Sequence, residues 1–334
     1  MSLAERNKIA PQMEDYDQVG DNWVPYLMRF DRPNRSYPAV TTGKWGLRQT
    51  VGKDGQLLPT DPSAVDNVGV VLGASAVFGV GATSDGKTLP SALNQCSDTT
   101  WYNFGGRAIN STQELILLNL FLPKTVKKIV VFSGVNNLTL SLISQTSSPV
   151  YNAFFAQSQF EQSMNRPTGT GIGLRRALTQ LVEEVRLKLG QTPPAALQHK
   201  PDPQKAYANA IVCFERDLRA LKALSDGLGA ELNFALQPLA TWIDKTLSVE
   251  ERRIFDILDG LSPEWKTLSA GLSSLKHRYA DDVQTICNGL KVPFVNLNVQ
   301  PELAGPEWYF VDRVHLTDAG NAVCAQLIKK AFHL

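Results

Sequence analysis

Val68-Gly69-Val70-Val71-Leu72 runs directly into Gly73-Ala74-Ser75-Ala76-Val77-Phe78-Gly79. A short, apolar, β-branched run ending in small residues predicts a buried parallel strand that breaks into a tight turn, with a helix following around Leu89-Pro90. Ser75 stands on that turn. In an open parallel sheet the side chains that reach ligands project from loops at the carboxyl ends of strands. Gly73, Ala74 and Ala76 leave room around the hydroxyl. A turn serine also has a plainer use, hydrogen bonding to nearby backbone groups, and without a partner base that use would suffice.

A serine hydroxyl becomes a nucleophile only beside a base, and the base needs a group to orient it. The chain has 4 histidines, so the search is short. His199 lies in a proline-rich connection, His277 in a helical pattern between Lys276 and Arg278, and His333 is penultimate, where fraying is expected. His315 differs. It stands in Val311-Asp312-Arg313-Val314-His315-Leu316-Thr317, just before an apolar helical pattern, with Asp312 close enough in sequence to hold the imidazole. A helix-capping loop without chemistry is the alternative reading of the same residues.

Four blocks then carry a resemblance. Gly73-Ala74-Ser75 after a strand, Asn103-Phe104-Gly105-Gly106-Arg107-Ala108-Ile109-Asn110-Ser111, Gly134-Val135-Asn136-Asn137 and the late Asp312-x-x-His315 resemble, in order, the blocks of the SGNH (GDSL-type) hydrolases. The resemblance extends from about Val68 to the C-terminus. It implies a flavodoxin-like three-layer α/β fold with a central parallel sheet of about five strands, and ester hydrolysis with no metal and no cofactor. By matching of blocks, Ser75 would be the nucleophile, His315 the base, Asp312 its orienter and Asn136 an oxyanion donor beside the Ser75 N–H. Two positions depart from the family pattern. Ala74 replaces the Asp that usually follows the first glycine, and Ala108 falls where the family has its oxyanion glycine. An alanine N–H can serve as that donor, and Gly106 is the other candidate; the sequence leaves both open.

The remaining composition sets bounds. At 334 residues and 43% apolar content the chain can build a full core. A net charge of +1 gives no electrostatic footprint for nucleic acid or an anionic membrane. No stretch resembles a membrane span. Cys96, Cys213, Cys287 and Cys324 fall singly, which suits buried thiols in a reducing, cytoplasmic setting better than a metal site or disulfide framework; the opening Met1-Ser2-Leu3 leaves a removed leader open.

Residues 1–66 are rich in proline, aromatics and turn residues, and read as an extension wrapping the domain formed by residues 67–334. Within that domain Val68–Leu72, Trp101–Phe104, Lys127–Phe132, Glu231–Leu236 and Val292–Leu297 read as strands. Helical patterns cover Thr88–Cys96, Ser111–Phe121, Leu174–Leu189, Ala206–Leu228, a segment from Ser248, Pro263–Asn288 and Thr317–Phe332. Thr192–Pro203 reads as a loop or an inserted hinge. Alternating strands and helices imply parallel pairing with right-handed crossovers.

Rival motifs exist. Gly81-Ala-Thr-Ser-Asp-Gly86-Lys87-Thr88 satisfies the phosphate-loop pattern, but the preceding strand ends too early, at Leu72, and no later strand ends in an Asp suited to magnesium. The elbow pattern G-x-S-x-G fails because position 77 is valine. Gly169-Thr-Gly171-Ile-Gly173 lacks a preceding strand. The expected substrate is a small-molecule or carbohydrate ester: the extension resembles segments that precede this domain in bacterial proteins linked to surface carbohydrates, which points to O-acetyl or another short acyl group on a sugar. Trp308 and Tyr309 are candidate stacking platforms, although plain packing in a loop is the favoured reading of the two aromatics, and Gln237, at the end of the fourth strand, is a candidate substrate contact. A binding module that keeps the fold without the chemistry is the alternative that Ala74 and Ala108 favour.

Overall fold

Alternation along three strands divides the interior into two cores. Val70 and Leu72, Ile129 and Val131, and Phe234 and Leu236 enter one apolar cluster, while their neighbours Val71, Val130, Phe132 and Ala235 enter the other. Successive side chains of a strand point to opposite faces, so strands buried on both sides must lie at the centre of a sheet covered by helices on each face.

The computed structural model describes residues 2–143, 148–155, 157, 160 and 202–334. The chain opens with α1 (Leu3–Ile9), α2 (Met13–Gln18) and two antiparallel hairpins, β1 (Asp21–Val24) with β2 (Met28–Asp31) and β3 (Arg35–Ser36) with β4 (Thr41–Thr42). Then come β5 (Val68–Gly73), α3 (Ser75–Phe78), α4 (Leu89–Cys96), β6 (Trp101–Gly105), α5 (Ser111–Leu120), β7 (Val126–Ser133) and α6 (Val135–Ile143). The second half carries α7 (Pro203–Leu228), β8 (Glu231–Leu236), α8 (Val249–Leu261), α9 (Pro263–Ser274), α10 (Lys276–Gly289), β9 (Phe294–Asn296) and α11 (Asp318–Phe332).

The five strands pair in the order β6-β5-β7-β8-β9, all parallel. Renumbered within the sheet this is 2-1-3-4-5, the flavodoxin-like order, whose crevice opens where connections from the first and third strands leave in opposite directions. Ser75 follows β5 and Asn136 follows β7, so both emerge at that crevice. One face is covered by α5, α7 and α10, through Leu117, Leu118, Phe214, Leu218, Tyr279 and Val283. The other is covered by α4, α8 and α11, through Leu89, Leu93, Ile254, Phe255, Cys324 and Ile328.

Local chemistry sets the boundaries. Asn110, one residue before the expected start, caps α5 and exchanges hydrogen bonds with Gln113 in a capping box; Ser248 and Glu251 do the same for α8. The helix expected over Pro263–Asn288 breaks at Leu275, where the Ser273 and Ser274 hydroxyls donate back to the Ser269 and Gly271 carbonyls and compete with the helical ladder. The fifth strand shrinks to Phe294–Asn296 because Pro293 has no N–H to donate and the Asn296 side chain folds the chain into a turn at Asn298. The short helices α3 and α6, straight after the two crevice strands, are not apparent in the periodicity. The patterns at Leu174–Leu189, Thr192 to Pro201 and Gly169–Gly173, together with His199, lie outside the described residues.

Residues 1–66 do more than cover a surface. Arg48 is buried, and its guanidinium donates to the Ala39, Phe78 and Gly79 carbonyls and the Tyr16 hydroxyl while pairing with Asp85 at 2.9 Å. The extension is therefore fastened to the back of the very turn that holds Ser75.

Candidate active site

Three elements far apart in sequence converge at the crevice. Gly105 lets β6 pass against α3: a Cβ there would sit 2.0 Å from the Phe78 nitrogen. Asn103 secures the same contact, donating through Nδ2 to the Val77 carbonyl at 2.8 Å. Gly134, at φ +107°, turns the chain sharply out of β7 and into α6, bringing Asn136 to the crevice.

His315 Nε2 lies 2.8 Å from Ser75 Oγ, and His315 Nδ1 lies 2.6 Å from Asp312 Oδ2. The other oxygen of Asp312 accepts from the Val314 and His315 backbone N–H groups at 2.7 and 2.8 Å. Burial works to raise the Asp312 pKa, but the imidazole's charge and hydrogen bond, with the two backbone donors, outweigh it and hold the carboxyl below its ordinary range. An ionised carboxylate only accepts, so the proton resides on Nδ1 and Nε2 presents a lone pair to the serine hydroxyl. The loop is held on all sides. Val311 and His315 bond through their backbones, the Ala240 N–H donates to the Arg313 carbonyl, and Arg313 pairs with Asp259 on α8 at 2.6 Å.

The two candidate oxyanion glycine positions separate clearly. The Gly106 N–H donates to the Gly73 carbonyl at 3.2 Å and is spent; its missing Cβ instead makes room for the Phe30 ring. The Arg107 N–H donates to Asp31. Ala108 lines the same cavity as Ser75 and Asn136, and its N–H has no acceptor among the described residues. Its φ is +59°, the left-handed conformation that glycine adopts freely. Arg107 holds that conformation in place: its guanidinium bonds the buried Asp31 carboxylate and the Tyr16 and Gly20 carbonyls, all from the extension. The Asn136 amide donates to the Ile109 carbonyl at 2.7 Å, which orients its second N–H.

The three expected substrate contacts lie elsewhere. Tyr309 is 7% exposed, and its backbone and that of Phe310 donate to the buried Glu251 carboxylate while Lys245 sits over its ring. Trp308 donates to the Phe310 carbonyl. Gln237 is buried and donates to the Val314 carbonyl at 3.2 Å, which makes it a support for the histidine loop. None of the three lines the crevice at Ser75. The phosphate-loop lookalike is likewise occupied with structure: Thr83 bonds Asp318, Asp85 pairs with Arg48, and Thr88 caps α4. No strand leads into it. Among the described residues no cluster of three metal-ligating side chains occurs, and no helix is long and apolar enough to cross a membrane.

Sequence reasoning missed the Arg107–Asp31 anchor, for which no local pattern exists, and the apolar walls supplied by Val135, Leu140, Trp265, Leu272 and Val314. Except for Val314 in the histidine loop, those walls come from helices whose apolar residues read equally well as core.

No protein-family model matches the chain, and no curated protein matches it in sequence. Solved structures do resemble it. A protein assigned to the G-D-S-L lipolytic family from Desulfitobacterium hafniense DCB-2 aligns with 80% of this chain and 99% of its own, at 8% identity and a TM-score of 0.44. A GDSL-like lipase from Bacteroides thetaiotaomicron VPI-5482 aligns over 80% and 88%, at 14% identity and 0.40. An acetyl xylan esterase, AlAXEase, aligns over 79% and 98%, at 11% identity and 0.38. These three are lipolytic or esterase proteins, two of them described as GDSL-type, and the likeness is one of fold.

Proposed function

We propose that the protein is a serine ester hydrolase of the SGNH type. The observation that carries the reading is the unbroken chain of contacts from Asp312 through His315 to Ser75, with 2.6 and 2.8 Å steps. His315 Nε2 takes the Ser75 proton as Oγ attacks the ester carbonyl carbon. The oxyanion is held by the Ser75 and Ala108 N–H groups and the Asn136 amide. The tetrahedral intermediate collapses, the leaving alkoxide takes the proton from His315, and an acyl ester remains on Ser75. A water then gives its proton to His315 and attacks that ester, releasing the carboxylic acid and restoring the serine. Asp312 fixes the imidazole tautomer and stabilises its charged form.

Ala74 and Ala108 support a non-catalytic binder less well than their sequence suggests, since Ala108 keeps the left-handed backbone a glycine would have. A short acyl ester on a carbohydrate rests on the resemblance alone, because Trp308 and Tyr309 stay outside the crevice. The test is hydrolysis of activated esters by the intact chain beside Ser75→Ala and Asp312→Asn. Loss of turnover with Ser75→Ala, and a drop of up to about 10⁴-fold with Asp312→Asn, is expected. A folded protein that hydrolyses no ester, or a Ser75→Ala variant as active as the parent, would refute the assignment.

A further inference from the structure

Two cavities meet at His315. The first, about 290 Å³, holds Ser75, Ala108 and Asn136 and is walled by Val135, Leu140, Ile143 and Phe155. The second, about 330 Å³, runs behind the imidazole past Asp312 and Arg313 and is walled by Leu239, Leu258, Leu261 and Ser269. Trp265, Leu272 and Val314 line both. The charges on these walls are already matched: Asp17 with Arg6, Arg107 with Asp31, Arg313 with Asp259 and Asp312 with His315. Among the described residues most hydroxyls are matched as well, those of Thr241 and Ser269 on the second cavity excepted. Thr139 donates to the Val135 carbonyl, Tyr16 to the Gly79 and Ala82 carbonyls, and Ser262 to Glu264. Around the mouths stand Ile143, Phe155, Leu261 and Trp265, between 40 and 51% exposed, an apolar rim with the Arg29 guanidinium 4.5 Å over the Phe155 ring.

Such a site has little to offer a carboxylate or a phosphate, and only the Thr241 and Ser269 hydroxyls, both on the second cavity, to offer a sugar. The apolar burial that drives binding is available on both sides of the nucleophile. Resting on the esterase reading, we infer that the substrate is a neutral ester with apolar groups on both sides of the scissile bond. The proton path orients it. His315 must deliver a proton to the departing oxygen, so the alcohol lies on the imidazole side, in the cavity walled by Leu258 and Leu261. The carbonyl oxygen must face the Ala108 and Asn136 donors, so the acyl chain lies in the cavity walled by Val135, Leu140 and Ile143. An acetyl group would leave most of that acyl cavity unfilled.

Two substrate series on the intact chain test this: p-nitrophenyl esters of lengthening acyl chain, and butanoate esters of lengthening alkyl alcohol, with a peracetylated sugar for comparison and phosphonate labelling of Ser75 alongside. In both series kcat/KM should climb by about fourfold per methylene before levelling as each cavity fills. Ile143→Trp, at an exposed rim position, should shorten the acyl optimum and not the alcohol optimum; Leu261→Trp should do the reverse. Flat profiles, or a preference for the acetylated sugar, with Ser75 labelled would overturn the inference and leave the esterase standing. Exchanged effects of the two variants would overturn the assignment of the limbs. No hydrolysis and no adduct on Ser75 would bring down both.

Discussion

A hydroxyl, an imidazole and a carboxylate decide the chemistry, but the donors around them set its rate. Replacing one oxyanion donor typically costs about 3 kcal/mol of transition-state stabilisation. Asn136→Ala should therefore lower kcat by about 10²-fold, with circular dichroism and the melting temperature close to the parent's. Ala108 tests its unusual conformation in the opposite direction. A left-handed alanine costs about 1 kcal/mol, partly offset by its stiffer unfolded chain, so Ala108→Gly should hold or raise stability by up to about 1 kcal/mol in denaturant unfolding and keep ester turnover. A clear destabilisation would mean that the alanine methyl is needed where it stands. Ser75, Asp312, His315 and Asn136 were legible as candidates because the four blocks are local signatures. The choice between Gly106 and Ala108 was not, because it depends on which N–H a neighbouring strand has already taken.

At the level of elements, the buried groups behind the crevice explain how its loops are held. Asp31 at the end of β2 is 1% exposed and binds Arg107 ahead of Ala108. Removing one partner of a buried pair leaves the other uncompensated, at about 3–5 kcal/mol. Asp31→Ala should thus lower the unfolding free energy by that order and depress kcat with it. Glu114 on α5 is enclosed against Ser133 at the end of β7, and burial pushes its carboxyl up to about 8. The native state then keeps a proton that the unfolded chain releases above its ordinary carboxylate range. Stability should fall as pH rises from about 4.5 towards 8, and Glu114→Gln should flatten that slope in urea titrations at several pH values. The strands and long helices were readable from periodicity because their apolar faces repeat; α3 and α6 were not, since α3 is a single turn packed against β6 and α6 starts at the Gly134 turn and is covered by α7 and α9.

Across the whole molecule, the extension and the domain act as one structure. Tyr16, Gly20, Asp31 and Arg48 reach the nucleophile turn or the Ala108 loop, so a chain beginning at residue 67 should lose the fold's cooperativity and its turnover together. Poor periodicity in those residues hid this, since their contribution is a set of single long-range bonds. The apolar walls around the triad were hidden for a related reason: Leu272 or Val135 looks the same in sequence whether it faces a core or a substrate. The central claim, that Ser75 is a nucleophile activated by His315 and Asp312, is tested most directly by peptide mass spectrometry after treatment with a fluorophosphonate. One phosphonyl group per chain on Ser75, lost in His315→Ala, is the predicted result. A folded, unlabelled Ser75, or labelling that persists undiminished without His315, would contradict it.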